Sequence, residues 1–252
     1  MKYFVQTYGC QMNVADSEKI KAVMQNMKYT PASKLNEAGL IIFNMCSIRQ
    51  TAVDKVFGKM KILEELKKKN PKIKTILTGC VLKDDLTNFK KVFDFILSIK
   101  TLNKWEKILI QKNNINFPDP RDIKFNEKLN TIYLKNKSIS ENNFSASIPI
   151  STGCNNFCSY CVVPYVRGPL ICRPHQEIIK EVEGLIKKDF KEIWLLGQNV
   201  NDYQSPTNKK MDFPKLLKKI NEIPGDFWIR FTSSHPKNFS DELIDVMAQR
   251  NH

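Results

Sequence analysis

The regular alternation of short apolar segments with amphipathic segments is the feature that most constrains the fold of this chain. Between the apolar segments, hydrophobic residues recur at three- and four-residue intervals, as in Val53, Val56 and Phe57, which is typical of helices that bury one face. Strands that alternate with helices form a parallel sheet covered by helices. We therefore predict an open parallel α/β domain over residues 1–112. Its expected strands are Lys2 to Thr7, Leu40 to Asn44, Ile73 to Thr78 and Phe93 to Leu97, and its expected helices are Val14 to Met27 and Ala52 to Lys69.

A second alternation follows residues 113–147, which are rich in Asn and Lys, contain Pro118 and Pro120, and are predicted to be a linker. About three strand–helix units then occupy residues 148–252. Such a run belongs either to a doubly wound sheet or to part of a βα barrel, and the periodicity does not separate the two. The expected strands are Ile148 to Ser151, Glu192 to Leu196 and Trp228 to Thr232, and the expected helices are Pro174 to Lys188, Phe213 to Ile223 and Asp241 to Gln249.

Three cysteines of the second domain lie close together in sequence. Cys154, Cys158 and Cys161 form a C-x3-C-x2-C motif directly after a predicted strand. One loop can therefore wrap three thiolates around a single metal centre, and a four-iron cluster held by only three thiolates keeps one iron open to a small ligand. A structural zinc site with Cys172 as its fourth ligand stays open as an alternative, although paired C-x2-C halves are absent.

The first domain contains a second set of three cysteines that are far apart in sequence. Cys10, Cys46 and Cys80 each come just after a predicted strand. Because the ends of parallel strands share one edge of a sheet, where open α/β folds bind ligands, these residues are expected to converge. They could instead be three unrelated core cysteines. The repeated placement favours a second three-thiolate cluster.

Composition narrows the classes of function. An odd number of cysteines, seven, argues against a disulfide framework. No apolar stretch is long enough for a membrane span and the N-terminus does not have the pattern of a signal peptide, so we expect a cytoplasmic protein. The net charge of +14 would attract a polyanion such as RNA, unless the surplus lysines simply occupy solvated surface positions.

The loop STGCNNFCSYCVVPYVRG resembles the radical S-adenosylmethionine (SAM) enzymes, whose signature C-x3-C-x-aromatic-C is met here with Tyr160 as the aromatic residue. With the first cysteine set included, the whole chain resembles the radical SAM methylthiotransferase family. The resemblance is carried by TYGCQMNVADSE, CSIRQTAVDKVF, TGC, LLGQNV and RFTSSHP as well as the loop. Within the family, YGCQMN and CSIR are most similar to members that modify N(6)-dimethylallyladenosine next to the anticodon of tRNA.

The resemblance implies an N-terminal domain that holds an auxiliary cluster, followed by a partial βα barrel that holds the SAM cluster. The implied cofactors are two [4Fe-4S] clusters and SAM, with Cys154, Cys158 and Cys161 as ligands of one cluster and Cys10, Cys46 and Cys80 as ligands of the other. An electron from the SAM cluster would split SAM, and a methylthio group would be joined to carbon 2 of the adenine. The implied partners are tRNA and a reduced donor such as a flavodoxin or ferredoxin, and the protein is expected to be a monomer.

Polar residues that follow the second and third strands of the barrel are candidate SAM contacts, because barrel enzymes bind ligands at that edge. They are Gln198, Asn199, Ser233, Ser234 and His235, which would act together with Tyr160 of the loop. For Gln198 and Asn199 a turn-forming role is the alternative, and for His235 a position in a surface loop. The sequence singles out no catalytic side chain.

The chain departs from the family pattern in two respects. The family typically has Glu and Ser where this chain has Leu170 and Cys172, which favours a structural role for Cys172. The chain also ends at His252, after three of the usual six βα units, which indicates either a fragment or a truncated gene. Alternative functions are methylthiolation of threonylcarbamoyladenosine in tRNA or of a ribosomal protein, and a non-catalytic iron–sulfur or RNA-binding module.

Overall fold

The computed structural model describes residues 1–111, 132–136, 138 and 143–248. Its chain divides into two units, which we call unit 1 (residues 1–139) and unit 2 (residues 140–252). Each unit is built around a parallel sheet. This confirms the predicted α/β fold class.

Unit 1 contains a five-stranded parallel sheet with the strand order β2-β1-β3-β4-β5. The central strand, β3, is buried along its whole length, as expected of a parallel strand covered on both faces. The strands are β1 (Lys2–Tyr8), β2 (Thr30–Pro31), β3 (Leu40–Cys46), β4 (Lys74–Cys80) and β5 (Phe95–Ile96). The helices are α1 (Gln11–Asn26), α2 (Gln50–Lys69), α3 (Lys83–Phe89) and α4 (Trp105–Gln111), with 3-10 turns at Leu35–Glu37 and Ile99–Lys104.

Part of the predicted linker belongs to the packed body of unit 1. Tyr133 and Leu134 are buried. The Tyr133 hydroxyl donates a hydrogen bond to Asp16 of α1, and the Tyr133 carbonyl accepts one from Lys19 Nζ at 3.1 Å. Residues 112–131, 137 and 139–142 of the predicted linker region lie outside the described residues. Tyr133 therefore packs against α1.

Unit 2 contains a three-stranded parallel sheet with the order β10-β9-β6, and a short antiparallel pair of β7 and β8. The strands are β6 (Ser145–Pro149), β7 (Ser151–Thr152), β8 (Ile171–Cys172), β9 (Glu192–Leu196) and β10 (Trp228–Phe231). The helices are α5 (Val163–Arg167), α6 (His175–Ile186), α7 (Phe213–Asn221) and α8 (Asp241–Ala248), with 3-10 turns at Val200–Asp202 and Pro236–Asn238.

The two faces of the unit 2 sheet differ in character. Ile148, Ile193 and Leu195 point to the face whose core also includes residues of α6, α7 and α8. On the other face, Trp194 donates to Glu192 at 2.8 Å and the Arg230 guanidinium lies 5.8 Å from the Trp194 ring. The three predicted βα units are therefore present, with their helices packed against one side of the sheet. Among the described helices of the chain, none is both long and apolar enough to cross a membrane.

Candidate functional site

The structure brings the three cysteines of unit 1 together at one edge of the sheet. Cys46 and Cys80 end β3 and β4 and are paired in register, and Cys10 is the N-cap residue of α1, just after β1. Hydrogen-bond contacts with the Cys10 and Cys80 thiols raise the pKa of the Cys46 thiol, and burial raises it further. Residues from three separate strand ends therefore face one another as a set of thiols.

Two glycines at this edge of the sheet lie so close to neighbouring atoms that a side chain would clash. Gly79 has φ +104°, and a Cβ atom there would lie 2.2 Å from the Met45 carbonyl oxygen of the neighbouring strand. A Cβ atom at Gly9 would lie 2.4 Å from Asn13 Oδ1. A side chain at position 79 would meet both backbone strain and a backbone clash. These glycines directly precede Cys80 and Cys10 in sequence.

A buried pair of asparagines, which the sequence analysis missed, holds the helix that carries Cys10. Asn13 Oδ1 accepts hydrogen bonds from the Cys10 backbone N–H at 3.2 Å and from its thiol at 3.3 Å. Asn13 Nδ2 donates to Asn44 Oδ1 at 3.0 Å, and Asn44 Nδ2 donates to the Asn13 carbonyl at 2.8 Å. Both side chains are fully buried. The available signal was an Asn inside the otherwise apolar strand LIIFNMC.

The three cysteines of unit 2 lie on one loop that starts after β7. The Cys154 N–H donates to the Gly168 carbonyl at 3.0 Å and the Cys161 N–H donates to the Cys158 carbonyl at 2.9 Å, which closes the loop on itself. Cys154 is buried, whereas Cys158 and Cys161 are partly exposed. Gly153, which has φ +82°, enters the loop where a Cβ atom would lie 2.0 Å from the Pro169 carbonyl oxygen.

Gln198 and Asn199 lie beside this loop but have structural partners. Gln198 Oε1 accepts a hydrogen bond from the Gly153 N–H, so it supports the start of the cysteine loop. Asn199 is almost completely buried and its Nδ2 donates to Asn238 Oδ1 at 3.0 Å. Asn199 Oδ1 is buried without a hydrogen-bond partner among the described residues.

Ser233, Ser234 and His235 follow β10 and fall into two groups. Ser233 and Ser234 are exposed, and the Ser233 carbonyl accepts from the Val200 N–H at 3.3 Å. His235 instead turns to the cysteine loop, where its Nε2 atom lies 3.5 Å from Cys158 Sγ. His235 therefore contacts the loop that carries the three cysteines.

Tyr160 and Cys172 have opposite environments. Tyr160 is 85% exposed. The charge of Cys158 raises the pKa of the Tyr160 hydroxyl, and a hydrogen bond between that hydroxyl and Cys158 raises it further. The hydroxyl therefore lies beside this cysteine. Cys172 packs against the unit 2 core, and burial raises its pKa to about 11. A thiol with this pKa stays protonated at neutral pH, which agrees with a structural role.

Each unit supplies three cysteine thiols as candidate metal ligands. Within the described ranges, no three His, Cys, Asp or Glu side chains are arranged to hold one metal ion. Three cysteines per set also leave one iron of a four-iron cluster without a protein ligand.

Each of the two units matches a known protein family. Residues 2–99 match Uncharacterized protein family UPF0004, and residues 148–251 match the Radical SAM superfamily. Over 98% of its length the chain is 41% identical to the tRNA-2-methylthio-N(6)-dimethylallyladenosine synthase of Dictyoglomus thermophilum and 39% identical to that of Clostridium botulinum. The chain spans 56% of the length of each of these relatives.

Solved structures show the same fold at low sequence identity. The radical SAM methyltransferase TsrM of Kitasatospora setae aligns over 98% of this chain and 57% of its own, with a TM-score of 0.64 and 11% identity. The cobalamin-dependent radical enzyme OxsB aligns over 98% of this chain and 41% of its own, with a TM-score of 0.56 and 10% identity. The superfamily of unit 2 implies a [4Fe-4S] cluster and SAM. With both family models matched in one chain and such relatives along almost all of its length, the chain is similar to the radical SAM methylthiotransferases.

Proposed function

We propose that this protein transfers a methylthio group to carbon 2 of N(6)-dimethylallyladenosine in tRNA by radical SAM chemistry. The observation that carries the proposal is the presence of two separate three-thiol sets, one at the sheet edge of unit 1 and one on the loop of unit 2. Reductive cleavage of SAM needs one cluster, and a reaction that also delivers sulfur requires a second site. The names of the relatives at 41% and 39% identity supply the substrate.

The loop of unit 2 is the proposed SAM site. Cys154, Cys158 and Cys161 would hold a [4Fe-4S] cluster, and SAM would bind at the iron that they leave open. Its contacts would come from Tyr160, Gln198, Asn199, Ser233, Ser234 and His235. Among these, Asn199 offers the buried, unpartnered Oδ1 atom, which would accept a hydrogen bond from a ligand amine or hydroxyl. Gln198 would act indirectly, because it already supports Gly153.

The sheet edge of unit 1 is the proposed sulfur-delivering site, with Cys10, Cys46 and Cys80 as ligands of the auxiliary cluster. When both groups are bound, the SAM cluster supplies the electron that splits SAM and the auxiliary cluster supplies the bound sulfur. The chain itself positions these ligands. Asn13 and Asn44 fix the start of α1, and burial of Cys46 and Cys80 keeps water from the thiols.

The proposed partners follow from charge and from the reaction. The net charge of +14 would attract the tRNA backbone, and each phosphate that lysine or arginine neutralises makes binding weaker at higher salt. The SAM cluster needs a one-electron reductant, for which a reduced flavodoxin or ferredoxin is proposed. We further propose that the protein acts as a monomer in the cytoplasm.

Reconstitution with product analysis tests the function. The chain would be loaded with iron and sulfide without oxygen, reduced, and incubated with SAM and with tRNA from cells that lack the modification. Mass spectrometry of the nucleosides should show the 2-methylthio form of N(6)-dimethylallyladenosine. Because the chain spans 56% of the length of its relatives, a full-length relative is the positive control. A product on threonylcarbamoyladenosine, or none with tRNA while a ribosomal protein is modified, would overturn the proposed substrate.

A further inference from the structure

We infer that His235 donates a hydrogen bond from Nε2 to the sulfur of Cys158 and thereby raises the reduction potential of the cluster at that loop. The inference rests on the proposed function, because it needs Cys158 as a cluster ligand. It assigns to His235 a role toward the cluster in addition to its proposed contact with SAM. The contact is the 3.5 Å distance between His235 Nε2 and Cys158 Sγ, which is within hydrogen-bond range for sulfur.

His235 is held in place from both sides of its backbone. The His235 N–H donates to Asn201 Oδ1 at 2.8 Å, and Asn201 Nδ2 donates to the His235 carbonyl at 2.9 Å. Asn201 is buried in the 3-10 turn after β9. One amide therefore satisfies both backbone groups of the histidine. Two hydrogen bonds to one buried side chain restrict the orientation of a residue more than packing alone.

The other ring nitrogen determines which atom carries the proton. His235 Nδ1 accepts a hydrogen bond from the Lys237 N–H at 3.2 Å. In a neutral imidazole one nitrogen accepts and the other donates, so an accepting Nδ1 leaves the hydrogen on Nε2. The Nε2 hydrogen then lies between the ring and Cys158 Sγ. The fold thus presents an N–H donor to the sulfur.

A hydrogen bond to a ligating sulfur changes the redox balance of a cluster. It draws electron density from the thiolate, so it stabilises the reduced, more negatively charged cluster more than the oxidised one. Loss of the donor should therefore shift the midpoint potential to more negative values. Reduction of the cluster by a given donor would then become less favourable.

The test is a redox titration of the unit 2 cluster, read by electron paramagnetic resonance. Cys10, Cys46 and Cys80 are replaced by Ala in all samples so that the remaining cluster is the one at Cys154, Cys158 and Cys161. His235→Ala removes the donor. His235→Gln replaces the ring with an amide that can donate from a similar distance. His175→Ala is the matched control, since that histidine contacts Ser205 Oγ at 2.9 Å instead of a cysteine.

We expect a more negative potential in His235→Ala, a potential closer to that of the parent in His235→Gln, and no shift in His175→Ala. If the potential of His235→Ala equals that of the parent while its affinity for SAM falls, the inference is wrong and His235 is a SAM contact. Loss of the cluster in His235→Ala but not in His235→Gln would also support the donor role. If the unsubstituted chain takes up no cluster at Cys154, Cys158 and Cys161, the proposed function fails, and this inference, which rests on it, fails with it.

Discussion

In unit 1 the three thiols come from three strand ends between residues 10 and 80, whereas in unit 2 they come from one loop between residues 154 and 161. The first set exists only when β1, β3 and β4 are paired in register. The second set is closed by local hydrogen bonds, such as that from Cys154 to Gly168. Damage to the sheet should therefore abolish the first site and spare the second.

The two sites also differ in their burial. In unit 1, Cys46 and Cys80 are each 3% exposed and Cys10 is partly exposed, whereas in unit 2 Cys154 is buried and Cys158 and Cys161 are partly exposed. The mostly buried set depends on packing, and a loop with two partly exposed thiols leaves more room for a ligand. This difference in burial would suit the proposed sulfur-delivering site in unit 1 and the proposed SAM site in unit 2.

Removal of one cysteine from each site should give the largest difference. Cys46→Ala should reduce methylthio transfer by more than about 100-fold while 5'-deoxyadenosine still forms, because the loop of unit 2 is intact. Cys158→Ala should abolish both. The measurement is the yield of 5'-deoxyadenosine and of methylthiolated nucleoside in one reaction. Full methylthio transfer by Cys46→Ala would show that the unit 1 thiols are structural.

A methyl group at Gly79 should destabilise unit 1 strongly. The residue has φ +104° and its Cβ atom would lie 2.2 Å from a backbone oxygen, so Gly79→Ala should cost about 3 kcal/mol. Gly58 is the matched control, because it lies in α2 with nothing within 4 Å of its Cβ position. Gly58→Ala should be neutral or stabilise the protein by up to about 1 kcal/mol.

Urea unfolding followed by tryptophan fluorescence can assign this loss to one unit. Trp105 is buried in unit 1, and the other two tryptophans, Trp194 and Trp228, lie in unit 2. With both of these changed to Phe, the signal reports unit 1. An unfolding midpoint in Gly79→Ala that equals that of the parent would contradict the glycine requirement.

The asparagine pair should have a smaller effect. Asn44→Ala removes a fully buried side chain and leaves Asn13 Nδ2 with only its 3.3 Å hydrogen bond to the Met45 carbonyl, which should cost about 2 kcal/mol in the unfolding of unit 1. Asn208→Ala, in an exposed turn of unit 2, should change stability by less than about 0.5 kcal/mol. The two variants are compared by the same urea titration and by iron bound per chain. Equal iron content and stability in both would contradict a positioning role for Asn44.

The sequence predicted the parts of this molecule that depend on local pattern. Strand β9 has the predicted bounds Glu192–Leu196, and all six cysteines of the two sets fall at the strand ends or on the loop where the pattern placed them. Pairing between distant polar residues could not be predicted, because Asn13 and Asn44 are adjacent only after β1 and β3 align. Tyr133 lies in a segment whose composition predicts a linker. Its packing could not be predicted either, because its partners on α1 are far away in sequence.

A buried carboxyl group near the cysteines of unit 1, that of Glu18, should give the smallest difference in stability between the units. Glu18 lies on α1, the helix that begins after Cys10, and burial raises the pKa of its carboxyl from 4.5 to about 7 although Lys21 and Lys19 lower it. A raised carboxyl pKa means that the folded state binds more protons than the unfolded state between these two values. The stability of unit 1 should therefore fall as the pH rises through this window and level off above the folded pKa.

The part of this loss that falls between pH 6 and pH 8 should be about 1 kcal/mol, since the unfolded carboxyl is already ionised and the folded one titrates near 7. Glu18→Gln should remove the slope and stabilise unit 1 more at pH 8 than at pH 6. Glu64→Gln, at an exposed position of α2, should leave the slope of the parent unchanged. Trp105 fluorescence in urea at the two pH values measures the difference. A parent chain whose unit 1 is equally stable at both would mean that Glu18 does not carry its proton in the folded state, and that the helix beside Cys10 tolerates a buried carboxylate.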